Sequence, residues 1–128
     1  MKFALFSFTD RGAETAEKIS VGLREGGTDT DVFVHGRDFE KILDLISEVF
    51  LKYEALIFIG ACGIAVRAIA PHAKSKATDP AVIVCDELGR YVIPILAGHI
   101  GGANEIAVNI EIWRHIYEYW SCANIYNC

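Results

Sequence analysis

The stretch Leu96–Glu105 reads Leu-Ala-Gly-His-Ile-Gly-Gly-Ala-Asn-Glu, and the interpretation of the whole chain starts from it. An apolar run ends here in clustered glycines, and helix-forming spacing begins at Ala103. Glycine lacks the Cβ that forbids positive φ, so such a loop can turn sharply and approach a ligand closely. A strand, a glycine loop and a helix start together aim free backbone N–H groups at an anion. The stretch therefore predicts an anion-binding loop; the alternative is that the glycines only make tight turns.

Composition and charge narrow the class of protein. A chain of 128 residues with 52% hydrophobic residues is long enough for one domain with one core. Its 12 basic and 17 acidic residues give a net charge of −5, which disfavours binding to nucleic acid. Because no apolar run approaches the ~18 residues of a membrane span, we expect a soluble, cytoplasmic protein with no membrane partner.

The first half of the chain alternates between strand and helix patterns. The alternation is carried by strands at Lys2–Phe8, Thr30–His35 and Ala55–Ile59, and by helices that begin after Thr9 and at Asp38. Thr9 is a suitable N-cap for the first helix, and Phe39 falls on the apolar face of the second. This order predicts right-handed crossovers and a parallel sheet with helices on both faces.

The second half adds a hairpin to that sheet. Gly60–Gly63 turns the third strand into a short helix at 64–69. The strands Ala81–Cys85 and Arg90–Leu96 are separated by Asp86–Gly89, a connection short enough for an antiparallel pair. We predict an α/β fold: an open, Rossmann-like, mostly parallel sheet with one antiparallel hairpin near its C-terminal end.

Three loops are predicted to share one edge of this sheet. They are Thr9–Gly12, Gly60–Gly63 and Gly98–Gly102, and ligands of open α/β sheets bind outside the carboxyl ends of the strands. Two of the loops are glycine-rich and lead into helices, so a carboxylate or phosphate is the expected ligand. Neither the dinucleotide fingerprint nor a P-loop is present in the sequence.

A few side chains near these loops could carry chemistry. His99 lies inside the last glycine loop and could titrate near neutral pH, or it could be structural. Glu105 could act as a general base or only complement the helix dipole. Arg67 could pair with a carboxylate or be a solvated charge on a helix. No cysteine has metal-ligand spacing, so we expect no metal site and interpret Cys62 and Cys85 as buried neutral thiols.

Four segments together resemble the amino-terminal domain of a known family. They are Cys62–His72, Thr78–Val82, Asp86–Arg90 and Gly98–Glu105, and Thr9 and Gly12 resemble the first loop of the same family. The order and spacing resemble the CbiG family, the cobalt-precorrin-5A hydrolases of anaerobic cobalamin biosynthesis. The resemblance covers about 2–108 and fades in the aromatic-rich tail.

The resemblance implies a reaction and a substrate. Water would open a δ-lactone on a contracting cobalt macrocycle, and a two-carbon fragment would leave as acetaldehyde. No separate cofactor is implied, because cobalt would arrive as part of the substrate, a tetrapyrrole rich in carboxylates. His99 and Glu105 would be catalytic, and the substrate would be bound by Thr9, Gly12, Gly60, Gly63, Arg67, Gly98, Gly101, Gly102 and Asn104.

The same resemblance suggests a division of the chain. We expect residues 1–110 to form the family's amino-terminal α/β domain and 111–128 to be an atypical tail continuing the last helix. The family's carboxy-terminal domain is expected to lie outside this chain, as a missing or separate partner. The alternative function is therefore a non-catalytic tetrapyrrole-binding or interaction module that needs a partner chain for turnover.

Overall fold

The structure, a computed structural model, describes residues 1–97 and 102–111. These ranges contain five strands and four helices. In chain order they are β1 (Lys2–Ser7), α1 (Asp10–Glu25), β2 (Asp29–Val34), α2 (Ile42–Val49), β3 (Ala55–Ile59), α3 (Cys62–Ile69), β4 (Ala81–Cys85), β5 (Val92–Leu96) and α4 (residues 103–111). No helix within the two described ranges is long and apolar enough to cross a membrane.

The strands form a single sheet in the order β2-β1-β3-β4-β5. The first four strands of that order are mutually parallel, and β5 runs antiparallel to β4. This is one of the common orders of doubly wound sheets, with an antiparallel strand added at one edge. The predicted α/β fold class and its antiparallel hairpin are confirmed.

Helices cover both faces of the sheet, because side chains alternate between the faces along each buried strand. On one face, Leu5 and Ile57 pack with residues of α1 and α4. On the other, Phe6 and Phe58 pack with residues of α2 and α3. Every residue of β3 and β4 is buried, as expected for central strands covered on both sides.

Helix α1 packs closely on the sheet through small side chains. Gly12, Ala16 and Ser20 are buried along its inner face. A 2.6 Å hydrogen bond between the Ser20 hydroxyl and the Thr30 hydroxyl joins the helix to β2. Its ends follow from the sequence: Thr9 caps the first turn, and Gly26 follows the last residue.

Helix α2 begins at Ile42, four residues after the predicted start at Asp38. The Asp38 carboxylate instead accepts a hydrogen bond from the Val34 N–H at 2.8 Å and pairs with Arg37 at 2.9 Å. An aspartate that bonds a preceding backbone N–H stabilises a turn in preference to a helix. Phe39 consequently lies in a loop and not on the predicted helical face.

The antiparallel direction of β5 corrects one prediction about the loops. We call the side of the sheet where β1–β4 end the carboxyl edge, and the side where they begin the amino edge. Val92 pairs with Cys85 at the carboxyl edge, and Leu96 pairs with Val82 near the amino edge. The segment after Leu96 therefore starts at the amino edge, and the prediction that all three loops share one edge is wrong.

The free side of β5 is the end of the described sheet. This strand contains Pro94, and its pairing with β4 shifts register between Val82 and Ile83. Ile93 is half-exposed in the strand. Proline is tolerated at edge strands because no ladder hydrogen bond is needed from it there.

Candidate functional site

The carboxyl ends of β1 and β3 form the topological switch point of the sheet. In the sheet, β2 lies on one side of β1 and β3 lies on the other. The connections that leave β1 and β3 therefore run in opposite directions. Ligands of doubly wound sheets bind in the crevice left at such a point. The first two predicted loops, Thr9–Gly12 and Gly60–Gly63, both lie here.

In the first loop, Thr9 and Gly12 have defined structural roles. The Gly12 N–H donates to the Thr9 hydroxyl oxygen at 3.0 Å, which caps α1 as predicted. A Cβ on Gly12 would lie 3.2 Å from that oxygen and 3.4 Å from the Ile59 carbonyl oxygen. Gly12 is needed so that α1 can pack against the end of β3, and its N–H is already occupied by the cap.

The second loop leads into a helix without a side-chain cap. Ala61 occupies the N-cap position of α3, and the Ile64 N–H donates to its carbonyl at 3.1 Å. The N–H groups of Cys62 and Gly63 precede the first residue that can bond within the helix, so they are available to a ligand or water. Cys62 is exposed, so its interpretation as a buried thiol is wrong, whereas Cys85 is buried.

Gly60 controls the position of an aromatic side chain. A Cβ on this residue would lie 3.1 Å from a ring carbon of Phe8, the residue that follows β1. The glycine therefore lets the Phe8 ring lie across the end of β3, where it forms part of a cleft.

That cleft, which we call the aromatic cleft, opens at the carboxyl edge between α2 and α3. Its volume is about 290 Å³. The lining residues come from the ends of β1 and β2, the loop after β2, and both helices: Phe8, His35, Phe39, Glu40, Ile42, Leu43, Ile64 and Arg67. The wall is mainly apolar and aromatic, with one guanidinium, one imidazole and one carboxylate.

The aromatic rings in this wall contact one another edge to face. The Phe8 and Phe39 rings are 5.8 Å apart at 82°, and the His35 and Phe39 rings are 5.5 Å apart at 66°. This arrangement is favourable for aromatic pairs and fixes the ring planes. Phe39 is the central ring, because it contacts both of the others.

The loop 35–40 is built by its own hydrogen bonds. The Gly36 N–H donates to the Phe39 carbonyl and the Asp38 N–H to the Val34 carbonyl, each at 2.8 Å. The neighbouring Arg37 guanidinium, together with the Val34 N–H, lowers the pKa of the Asp38 carboxyl. Because the loop is ordered in this way, the wall of the cleft is already formed before any ligand arrives.

The proton position on His35 follows from its partner. His35 Nε2 lies 3.0 Å from the main-chain carbonyl oxygen of Glu40, and a carbonyl can only accept. We therefore assign the proton of the neutral ring to Nε2, which leaves the Nδ1 lone pair free to accept a hydrogen bond.

Arg67 supplies the positive charge of the cleft. Its guanidinium extends back along α3, with a terminal nitrogen 3.9 Å from the Cβ position of Gly63. Within 1–97 and 102–111 no carboxylate forms an ion pair with it, whereas Arg24, Arg37 and Arg90 each have one. An exposed guanidinium beside aromatic rings is suited to bind a carboxylate through two parallel hydrogen bonds.

The remaining predicted residues divide between the other edge and the part of the chain that is not described. Gly98, His99 and Gly101 lie outside the described residues, as do residues 112–128 of the predicted tail at 111–128. Asn104 and Glu105 are exposed in the first turn of α4, which packs on the face opposite the aromatic cleft.

Gly102 lies at the amino edge with α4. Its φ is +79°, and the Ala103 N–H donates to the Ala97 carbonyl at 3.2 Å, which joins the start of α4 to the end of β5. The structure thus brings Gly60, Gly63 and Arg67 together at the carboxyl edge and separates them from Gly102 and Glu105.

Asp86 stabilises the turn between β4 and β5, whereas His72 packs against an aromatic ring at the far ends of α2 and α3. Burial raises the pKa of the Asp86 carboxyl, but hydrogen bonds from the Tyr91 and Arg90 N–H groups outweigh this, and the net pKa is lowered. His72 packs against Phe50, with ring centres 5.3 Å apart. In the described parts of the chain, no three His, Cys, Asp or Glu residues are grouped to hold a metal ion.

The sequence interpretation missed His35, Phe39 and Phe8 as residues of the site. Phe8 and His35 each directly follow a parallel strand, and this position alone marks candidates for a ligand crevice. Phe39 gave no such signal, because its spacing from the apolar residues of α2 fitted a longer helix.

The fold defines an α/β domain with a cleft outside the carboxyl ends of its strands. A family model described as cobalamin synthesis G N-terminal matches residues 44–116, more than half of the chain. The chain belongs to this family, and the predicted resemblance is confirmed.

Relatives and a solved structure agree with that family. A cobalt-precorrin-5A hydrolase of Salmonella typhimurium is 58% identical over 59 residues, which cover 46% of this chain and 17% of the relative. The protein of the same name from Priestia megaterium is 53% identical over 62 residues, 48% of this chain and 17% of the relative.

The crystal structure of a cobalamin biosynthesis protein G homolog from Sulfolobus solfataricus is 29% identical to the chain. It superposes with a TM-score of 0.77 over 89% of this chain and 34% of that one. The chain thus matches about a sixth of each of these two relatives and about a third of the solved structure.

Proposed function

We propose that the chain acts in cobalamin biosynthesis as the amino-terminal part of a cobalt-precorrin-5A hydrolase. Its role at the carboxyl edge is to hold the carboxylate-rich rim of a cobalt macrocycle. The observation that carries this proposal is the Arg67 guanidinium, which forms no ion pair with any described carboxylate, in an aromatic cleft at the switch point of the sheet. The family match supports a role in cobalamin synthesis, and the cleft supplies chemistry suited to a carboxylate-bearing macrocycle.

The reaction proposed for the substrate has two parts. Water adds to the lactone carbonyl carbon, and the ring C–O bond breaks to give a carboxylic acid and an alcohol. The alcohol carbon then becomes an aldehyde as its bond to the macrocycle breaks; the bonding electrons stay on the macrocycle, which takes up a proton. The products are acetaldehyde and the ring-contracted macrocycle, and no oxidant is needed.

His99 remains the predicted acid or base for these steps, with Glu105 second. The chain is assayed for acetaldehyde release from cobalt-precorrin-5A, with an aldehyde dehydrogenase as the coupled readout. We expect turnover by the unmodified chain and its loss in His99→Ala, with an unchanged circular dichroism spectrum. Equal turnover in His99→Ala would remove this residue from the mechanism.

A second candidate function is a module that binds the macrocycle without converting it. The separation of Arg67 from Glu105 favours it, because these residues lie at opposite edges and on opposite faces of the sheet. This candidate predicts macrocycle binding with no acetaldehyde release until a partner chain or domain is added. The same coupled assay, run beside an absorbance titration, distinguishes the two functions.

A further inference from the structure

The aromatic cleft is too small for a whole tetrapyrrole. Its volume of about 290 Å³ is at the lower end of the roughly 300–1,000 Å³ typical of pockets that enclose small organic ligands. A macrocycle several times larger than a single ring cannot enter. What fits is one side arm, with the macrocycle lying across the opening.

The charged residues that line the cleft indicate which end group the arm carries and where that group lies. Among the described residues that line it, Arg67 is the only basic residue with a guanidinium or ammonium group, and Glu40 is the only acidic one. The Glu40 carboxylate repels a second carboxylate placed beside it, so the carboxylate of the arm belongs on the Arg67 side. The apolar carbons of an acetate or propionate arm would then contact Phe8 and Phe39.

We propose that the aromatic cleft is the subsite for one free carboxylate arm of the macrocycle, with Arg67 as the binding residue and Glu40 as an opposing charge that limits affinity. This inference rests on the proposed function and adds the subsite and its mode of selection. The ordered loop 35–40 keeps the cleft open, so binding requires little rearrangement.

Two substitutions have opposite expected effects. Arg67→Gln removes the charge-assisted fork, and we expect the affinity for a cobalt corrinoid with free carboxylate arms to fall about tenfold or more. Glu40→Gln removes the repulsive carboxylate, and the affinity should rise about two- to fivefold. The Glu40 substitution leaves the main-chain carbonyl that holds His35 in place.

The test is an absorbance titration of the 128-residue chain with that corrinoid and with its fully methyl-esterified derivative. The ester cannot pair with Arg67, so its affinity should be lower and should not respond to either substitution. Arg24→Gln is the matched control, because it changes the same charge at the far end of α1, where Arg24 contacts Glu17. The affinity of the Arg24→Gln variant for the free-carboxylate corrinoid should stay within about twofold of that of the unmodified chain.

The outcomes separate this inference from the proposed function. Opposite shifts for Arg67→Gln and Glu40→Gln, seen only with free carboxylates, support the subsite. Binding that ignores both substitutions, or that is as tight with the ester, overturns the subsite and leaves macrocycle binding intact. No binding of the free-carboxylate corrinoid by the unmodified chain overturns both. The urea midpoint of every variant shows whether a loss of affinity comes from a loss of folding. Arg67→Lys keeps the positive charge but not the two parallel hydrogen bonds, so it reports the contribution of the guanidinium geometry.

Discussion

The two edges of the sheet present the same local sequence pattern in different structural settings. At the carboxyl edge, β3 runs through Gly60–Gly63 into α3, beside the end of β1 and the aromatic cleft. At the amino edge, β5 leads through the segment after Leu96 into α4. Strand, glycines and helix follow one another in both places. The comparison teaches that strand direction, and not the local pattern, decides which edge such a loop occupies.

Glycine also serves a different purpose at each edge. At the carboxyl edge Gly12 provides space, because a Cβ would press against the capping hydroxyl and the Ile59 carbonyl. At the amino edge Gly102 provides conformation, because its φ is +79° and no atom of the described residues lies within 4 Å of a Cβ there. Substitutions at the two edges should therefore destabilise the chain for different reasons.

The largest effect is expected for Gly12→Val. Its branched side chain would push α1 away from β3, and overpacking of this kind costs about 2–3 kcal/mol in the free energy of unfolding. The measurement is urea denaturation followed by circular dichroism. Gly63→Ala is the control: its Cβ meets only an arginine nitrogen at 3.9 Å, so stability should change by less than about 1 kcal/mol. Equal losses in the two variants would contradict the packing role of Gly12.

A smaller effect is expected for Gly102→Ala. An alanine in the left-handed region costs about 1 kcal/mol, without any steric contact. Gly26→Ala is a matched comparison, because Gly26 has a φ of −80° and a Cβ there would make only ordinary contacts, with the Leu23 and Gly22 carbonyl oxygens at 3.5 and 3.7 Å; its cost should be under about 0.5 kcal/mol. If the two substitutions cost the same, the conformational role of Gly102 is wrong.

The carboxyl-edge loops should respond to acid. The pKa of Asp38 is lowered by Arg37 and the Val34 N–H, and that of Asp86 is lowered by the backbone hydrogen bonds that outweigh its burial. A lowered folded-state pKa means that the stabilisation is present above the unfolded pKa of about 3.9 and is lost as the pH falls through the folded value.

Both carboxyls are partly exposed, so each contributes less than about 1 kcal/mol. Amide resonances of Val34 and Tyr91 report the change in an NMR titration. Their chemical shifts should stay constant between about pH 7 and 5, and below about pH 4 they should change while the amides lose protection against hydrogen exchange, relative to the intrinsic rate at each pH. In Asp38→Asn the Val34 shift should disappear while the Tyr91 shift remains. Loop opening above pH 5 would contradict this assignment.

The smallest effect is expected for Glu105→Gln. The carboxylate complements the start of α4, and its loss should cost about 0.5 kcal/mol or less. Because Glu105 and the aromatic cleft lie at opposite edges and faces, corrinoid affinity should not change. A clear loss of affinity, measured by the absorbance titration used for Arg67→Gln, would show that the two edges contribute to one site.

Much of the fold was predictable because buried strands and glycine turns leave strong local signals. The apolar runs of β1, β3 and β4 and the Thr9 cap each gave the right element. The start of α2 was not predictable from periodicity, because Asp38 bonds to the Val34 N–H across a turn. That bond depends on how the chain folds back after β2, which apolar spacing does not encode.

The site was predictable only in part. Arg67, Gly60 and Gly63 were predicted from their position after a parallel strand, and they do lie at the carboxyl edge. The antiparallel hairpin was also predicted, and its direction already implied that the loop after Leu96 lies at the other edge. The local pattern of glycines and a helix start outweighed that implication. His35 was missed because its role depends on a carbonyl partner at Glu40, which no motif marks.

The proline in β5 has a consequence for how the chain avoids self-association. An unprotected edge strand presents a row of backbone donors and acceptors that can recruit a strand from another molecule. Pro94 has no N–H to contribute, and the register shift beside it disturbs the regular spacing of the ladder. Strand addition at β5 is therefore disfavoured, and contacts on this side are left to side chains such as Ile93 and Tyr91. A single residue thus lowers the risk of amyloid-like growth from an apolar edge.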